Sequence, residues 1–328
     1  MITLIKLKKL AKQYNGQITE LMDKNLRELR SLALNVKNLN DSLEFFAPLY
    51  VSNVCKENCS YCGFRISNDI KRITLSQNQV NQEVKYLKKQ GYTQVYCLTG
   101  TFWEGSVDDI GSMTEINARG VRSLVANDVF PVLESFPFSQ RNLSDLLSIA
   151  NGEARYVLFQ ETYNNVVYDQ FHQNLNVKHN PDIRLQQVDL AIKAGWPEVG
   201  IGVLLGLNPN IEEELSHLIA HYYWLTRQGV RQVTISVPRI NRAKNTKITS
   251  KIHDNVFIKT VYVIRILCPK AKIVLTARES IKIRNSLKPI THIWGVKGST
   301  VPGGYTLNNK MRNGQFLLKD GRSIKDLC

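Results

Sequence analysis

The sequence predicts an α/β fold: a (β/α)8 barrel of the TIM type with an N-terminal helical extension. From residue 44 onward, short β-rich runs alternate with longer amphipathic stretches, the pattern of parallel strands joined by right-handed crossovers. Eight such runs are present, which favours a closed barrel over a doubly wound sheet. Several end in glycine or polar punctuation: Thr99-Gly100, Gln160-Glu161-Thr162, Gly206, Pro238-Arg239 and Arg278-Glu279. In a parallel barrel these points gather at the C-terminal mouth, where active sites sit.

The chain opens with Leu4, Leu7, Leu10 and Ala11 at helical spacing among Lys6, Lys8, Lys9 and Lys12, which predicts an amphipathic first helix. Those lysines interrupt the apolar stretch of about 7–15 residues that a secretory signal needs. Strands are expected at residues 46–54, 93–98, 130–133, 156–160, 198–205, 232–237, 272–276 and 291–294. Helical periodicity marks residues 79–90, 184–194, 211–228 and 255–267. No repeat or linker divides the pattern. The expected organisation is a lead-in over 1–44, one barrel over 45–320 and a short tail over 321–328.

Composition narrows the class. The 328 residues are 43% hydrophobic and 22% charged, enough for a large core. No run of about 18 apolar residues exists, so no membrane span is expected. Six cysteines are too sparse for a disulfide scaffold, which suits a reducing compartment, cytoplasm or plastid stroma. The net charge of +15 raises a nucleic-acid partner. No basic run carries interleaved aromatics, so the charge reads as a solvated surface and nucleic acid is not expected.

The informative stretch is Cys55-Lys56-Glu57-Asn58-Cys59-Ser60-Tyr61-Cys62-Gly63-Phe64, just past the first strand. Three thiolates within eight residues can close around one metal centre. A [4Fe–4S] cluster held by three cysteines leaves one iron free for a further ligand. A structural zinc site would want a fourth Cys or His, and no second C-x-x-C follows. Cys97 and Cys268 read as buried small hydrophobes, and Cys328 stands alone at the end.

C-x-x-x-C-x-x-C with an aromatic before the third cysteine resembles the radical S-adenosylmethionine (SAM) superfamily. The flanks resemble its aromatic amino acid lyases, and among them the tyrosine lyases that make 2-iminoacetate for the thiazole of thiamine. They are Ala47-Pro48-Leu49-Tyr50-Val51-Ser52-Asn53, Ile70-Lys71-Arg72-Ile73-Thr74-Leu75, Gln160-Glu161-Thr162-Tyr163, Gly200-Ile201-Gly202-Val203-Leu204-Leu205-Gly206-Leu207, Val237-Pro238-Arg239 and Thr276-Ala277-Arg278-Glu279-Ser280. Pro302-Gly303-Gly304-Tyr305, Gln315-Phe316 and Asp320-Gly321-Arg322-Ser323 complete the series. Residues from about 210 to 320 resemble the biotin and thiamin synthesis associated region.

The resemblance implies one [4Fe–4S] cluster on Cys55, Cys59 and Cys62, with SAM on its open iron. It implies that Tyr61, Gly100, Thr101, Glu161 and Arg184 bind SAM, that Arg278 binds the carboxylate of L-tyrosine, and that Arg239 holds substrate or the glycyl fragment. It further implies p-cresol and dehydroglycine as products, a thiazole synthase partner, and a reductant such as flavodoxin or ferredoxin. Tyr163 and Tyr305 are expected to pack. Three places depart from the family. Gly100-Thr101 stands where Gly-Glu is usual, with Glu104 a substitute from the loop; Gly295 stands where a serine is usual; and the chain stops soon after Asp320-Gly321-Arg322. The branch that converts dehydroglycine to CO and cyanide needs a C-terminal cysteine motif, and only Cys328 lies there. The readings left beside the tyrosine lyase are a lyase of another aromatic amino acid such as tryptophan, and a degenerate or non-catalytic iron–sulfur protein.

Overall fold

In the computed structural model, which describes residues 1–36, 42–102, 112–172, 177–246, 251–307 and 314–327, eight parallel strands close into a barrel in sequence order. They are β1 (Glu44–Ser52), β2 (Gln94–Thr99), β3 (Phe130–Glu134), β4 (Arg155–Glu161), β5 (Glu198–Val203), β6 (Gln232–Ser236), β7 (Lys272–Leu275) and β8 (Ile293–Gly295). β1 pairs with β8 through Glu44↔Ile293, Phe45↔Trp294 and Phe46↔Gly295, which closes the ring. All eight expected strands are present. The expected runs overshoot at residues 53–54, 204–205, 237 and 276, where the chain already turns into the mouth loops.

The helices are α1 (Leu4–Ala11), α2 (Asn15–Asp23), α3 (Leu26–Asn35), α4 (Gln77–Lys89), α5 (Met113–Val125), α6 (Gln140–Ile149), α7 (Asn165–Phe171), α8 (Pro181–Lys193), α9 (Ile211–Thr226), α10 (Asp254–Leu267) and α11 (Ile281–Leu287). Side-chain caps set several starts: Ser76 forms a capping box with Gln79, and Asn180 caps α8 with Pro181 at its first position. Leu4, Leu7 and Ala11 are buried, so α1 is the amphipathic helix the lysine-flanked pattern predicts. With α2 and α3 it packs on α9 and α10 on the outside of the barrel.

Two apolar layers result. The larger lies between strands and helices, and includes Cys97 and Cys268 as fully buried thiols. The smaller fills the barrel interior with Phe46, Tyr50, Tyr96, Leu98, Val132, Val157, Val274 and Ile293. At the strands' N-terminal ends polar groups close the floor. Arg155 bridges Glu198 at 2.7 Å and donates to Gln94, while Glu44 takes Gln94 and Lys272. The interior is therefore sealed below and open at the C-terminal mouth. No helix among the described residues is long and apolar enough to cross a membrane.

Candidate functional site

Residues 53–73 carry the three cysteines without helix or strand, so side chains must satisfy the backbone there. Arg72 does most of this. Its guanidinium donates to the carbonyls of Asn53, Phe64, Arg65 and Asn68 at 2.6–3.2 Å, clasping both ends of the loop. Asn68 donates to Gly63 O, and Asn53 takes Ile73 N–H and donates to Lys71 O. Fully buried Glu57 accepts from the amides of Val177 and Lys178, fixing the loop to the turn before α8. The expectation that Gly100 and Thr101 meet a cofactor takes a different form here, since neither lines the cavity. A Cβ on Gly100 would lie 2.0 Å from Val54 O and 2.8 Å from Cys55 Cβ, so only glycine lets β2 pass behind the loop. Thr101 O accepts from Lys56 N–H at 2.8 Å. Glu104, the conjectured substitute, lies outside the described residues, as does Cys328.

Two of the three thiols, Cys59 and Cys62, are raised above the ordinary thiol value. Burial first, then the charges of Cys59 and Cys55, push Cys62 up to about 12; burial also raises Cys59, which Lys178 Nζ at 3.6 Å opposes. Among the described residues, no three His, Cys, Asp or Glu are grouped to hold a single ion. The donor set fits an iron–sulfur cluster: three soft thiolates, mutually repelling until a cationic cluster neutralises them.

Beside the loop, a cavity of about 1070 Å³, its open mouth included, runs down the barrel axis. Cys62 and Tyr61 reach it from the loop, Glu134 from β3, Glu161 from β4, and Arg278 from just beyond β7. Tyr61 donates to His172 Nε2 at 2.8 Å. The other ring nitrogen of His172 faces Tyr168 O at 2.8 Å, which fixes the neutral tautomer. Burial, then the charges of Lys178 and Arg184, pull His172 down to about 2. Glu161 has φ 72°, a left-handed backbone unusual for glutamate, at a register shift between β4 and β5. Arg184 holds it, with Nε on Phe159 O at 2.6 Å and an ion pair to Glu161 at 3.0 Å. Arg184 itself is buried behind Glu161 and does not line the cavity.

Arg278 and Arg239 part company. Arg278 Cζ sits 3.4 Å over the Phe316 ring, its Nε has no partner among the described residues, and burial pulls its pKa down. Arg239, expected to hold substrate, is instead committed outside the cavity, to Glu279, to Asp254 at 2.8 Å and to Ile252 O at 2.7 Å. Four of its five N–H donors are taken by these partners, so the guanidinium is held in place by the protein. Tyr163 and Tyr305 are structural: the Tyr163 hydroxyl pairs with His221 Nδ1 at 2.9 Å, and that of Tyr305 donates to Pro48 O at 2.7 Å. The serine-for-glycine difference is sterically coupled, since a Cβ on Gly295 would meet Phe46 Cζ at 2.9 Å. Glu134 was not singled out from sequence. Burial and then the Glu161 charge push it up to about 7, against Arg278, Arg184 and Lys178. Its signal was a charged residue at the inward parity of Val132, one place past the expected strand end.

Comparison with known proteins agrees with this geometry. The model of the radical SAM superfamily matches residues 49–219, and that of the Biotin and Thiamin Synthesis associated domain matches residues 236–328. The 2-iminoacetate synthase of Salmonella typhimurium is 28% identical over 280 residues, 84% of this chain and 72% of the relative. That of Escherichia coli is 26% identical over 289 residues, 85% and 73% of the two chains. Among solved structures, the [FeFe]-hydrogenase maturase HydG superposes with a TM-score of 0.86 at 28% identity, covering 99% of this chain and 73% of that one. Methylornithine synthase, at 19% identity and a TM-score of 0.70, shares the fold. With a family model covering the cysteine loop and the first half of the barrel, this chain belongs to the radical SAM superfamily, whose members work with a [4Fe–4S] cluster and SAM.

Proposed function

We propose that this chain is a lyase that cleaves the Cα–Cβ bond of L-tyrosine, giving 2-iminoacetate and p-cresol for the thiazole moiety of thiamine. The observation that carries the reading is Arg278: a guanidinium whose Nε has no partner among the described residues, in a cavity that also receives Tyr61 and Cys62. A [4Fe–4S] cluster on Cys55, Cys59 and Cys62 with SAM would supply a 5′-deoxyadenosyl radical there when bound.

The remaining roles belong to the chain. Arg278 binds the substrate carboxylate through its planar fork, and Phe316 beneath it fixes the plane. Tyr61, oriented by His172, presents its ring beside the cysteine loop. Glu161 offers its carboxylate to the SAM ribose, and Arg184 keeps that strained residue in place. Gly100 and Thr101 serve the SAM site by shaping the loop. Arg239 is a positioning group that fixes Glu279, next to Arg278. The apolar barrel wall excludes water and stray hydrogen donors from the reacting atoms. A thiazole synthase would take up the unstable imine, and a flavodoxin- or ferredoxin-type protein would provide electrons. A lyase of another aromatic amino acid such as tryptophan is the second reading, prompted by two departures from the family pattern, Thr101 and Gly295, at the second of which Phe46 crowds the place a serine would fill.

The test is anaerobic. The chain is reconstituted with iron and sulfide, reduced, and given SAM with tyrosine or tryptophan. p-Cresol with matching 5′-deoxyadenosine is the expected result, and alanine at any one of the three cysteines abolishes both. An indole product would promote the second reading. Deoxyadenosine with neither product would refute both substrates, and no SAM cleavage at all would mean a non-catalytic protein.

A further inference from the structure

The cavity contains a charged group that the roles above leave unused. Glu134 closes β3, and in an eight-stranded ring β3 stands opposite β7, the strand whose following turn carries Arg278. Among the described residues its carboxylate makes no hydrogen bond and no ion pair. Among the described residues, the neighbouring mouth carboxylates already have a cationic partner in the protein: Glu161 in Arg184 and Glu279 in Arg239. An unpartnered carboxylate in an apolar barrel destabilises the empty protein, so its position is explained by a ligand that brings the partner.

We propose that Glu134 receives the α-amino group of the amino-acid substrate while Arg278 receives its carboxylate, so that opposite walls of the barrel read the two ends of one zwitterion. This deepens the lyase reading and rests on it. Glu161 and the phenols of Tyr50 and Tyr96 face Glu134 on one side of the charge balance, and Arg278, Arg184 and Lys178 face it on the other. The resulting rise to about 7 makes Glu134 a proton acceptor as well as a partner. An ammonium N–H bond breaks, a Glu134 O–H bond forms, and the electron pair stays on nitrogen. Both charges vanish, and the substrate is left as the neutral amine from which a hydrogen atom can be taken.

The test compares L-tyrosine with 3-(4-hydroxyphenyl)propanoate, the same molecule without the amine. Binding is measured by equilibrium dialysis on the anaerobic reconstituted protein with SAM and no reductant, so turnover does not enter. The parent should prefer tyrosine by at least about tenfold, the size of a charge-assisted hydrogen bond. Glu134→Gln should bring that preference to within about threefold while binding the amine-free acid as before, and Glu134→Asp should retain part of it. The inference is overturned if Glu134→Gln keeps the parental preference, if it loses both ligands equally, or if the parent itself does not prefer tyrosine. A parent that binds neither acid would overturn the amino-acid reading of the cavity, which the other outcomes leave standing.

Discussion

Among the described residues no carboxylate is bonded to the Arg278 guanidinium, although Glu279 is its immediate neighbour in sequence. Phe316 covers one face and burial lowers its pKa, so the empty site holds a cation that stacking repays only in part. Two effects of Arg278→Met follow, and they run in opposite directions. Unfolding free energy should be unchanged or higher by about 1 kcal/mol, since a desolvated charge is replaced by an apolar chain. Tyrosine turnover should fall by roughly 100-fold or more, about 2.7 kcal/mol of transition-state binding. Urea denaturation and p-cresol release measure the two, and turnover within about tenfold of the parent would exclude the carboxylate role. Gly295 makes a steric case at the same scale. Gly295→Ser places a Cβ against Phe46, whose ring also packs 4.2 Å from Tyr96, and should cost about 1–3 kcal/mol. Adding Phe46→Leu should recover most of that loss, a coupling that a double-mutant cycle reads directly.

Among elements, the cysteine loop depends most on one side chain, that of Arg72, which bonds four of its carbonyls. Arg72→Met would leave the carbonyls of Asn53, Phe64, Arg65 and Asn68 without their shared donor. The expected result is a folded barrel with a loosened loop: unchanged far-ultraviolet dichroism, faster proteolysis within residues 53–73, and cluster absorbance lost several times faster under a chelator. Retention of the cluster at the parental rate would assign the clasp to packing alone. The sequence placed Arg72 inside a motif but offered no sign of its job, because its four acceptors are backbone atoms, which every residue has. The strands were legible because buried parallel strands read as apolar runs, and the cysteines because their spacing has few uses. Helix α5 was harder to see, since its buried face includes Asn117, Gly120 and Ser123 where an amphipathic stripe would be apolar. A Cβ at Gly120 would lie 2.3 Å from Cys97 Sγ, so the small residue records how closely that helix approaches β2. For Arg239, position after a strand predicts the mouth, but not that Glu279 and Asp254 are the partners this long side chain finds there.

Over the whole molecule, buried ionisable groups of opposite tendency set how stability depends on pH. Burial pushes Glu214 up to about 7, against hydrogen bonds from Thr162, Asn208 and the Tyr163 amide. Burial pulls His221 down to about 4 and, with the Lys178 and Arg184 charges, His172 to about 2. A raised carboxyl keeps a proton in the folded chain that the unfolded chain has released. Its stabilising contribution is complete below the ordinary value of 4.5 and is lost as pH rises through about 7. A depressed histidine does the reverse: its contribution is complete above 6.5 and is lost as pH falls through about 4 for His221. Between those ordinary values the two tendencies oppose each other and the profile should be shallow; below the carboxyl's ordinary value the histidines are joined by Glu213 and Asp320, whose carboxyls are held below their ordinary values, and stability should fall steeply. Glu214→Gln isolates one side of this balance. The variant cannot ionise, and it is less stable overall because its NH2 takes the place of one of the two oxygens that accept from the Thr162 hydroxyl and the Tyr163 N–H. That deficit should shrink by roughly 1–3 kcal/mol as pH rises from about 5 to about 8, because only the parent must give up the Glu214 proton over that range. Urea unfolding of both proteins at intervals across the range measures the difference, in which Glu134 and the histidines cancel. A deficit that stays constant would show that Glu214 is ionised throughout, held by its three donors strongly enough to offset burial.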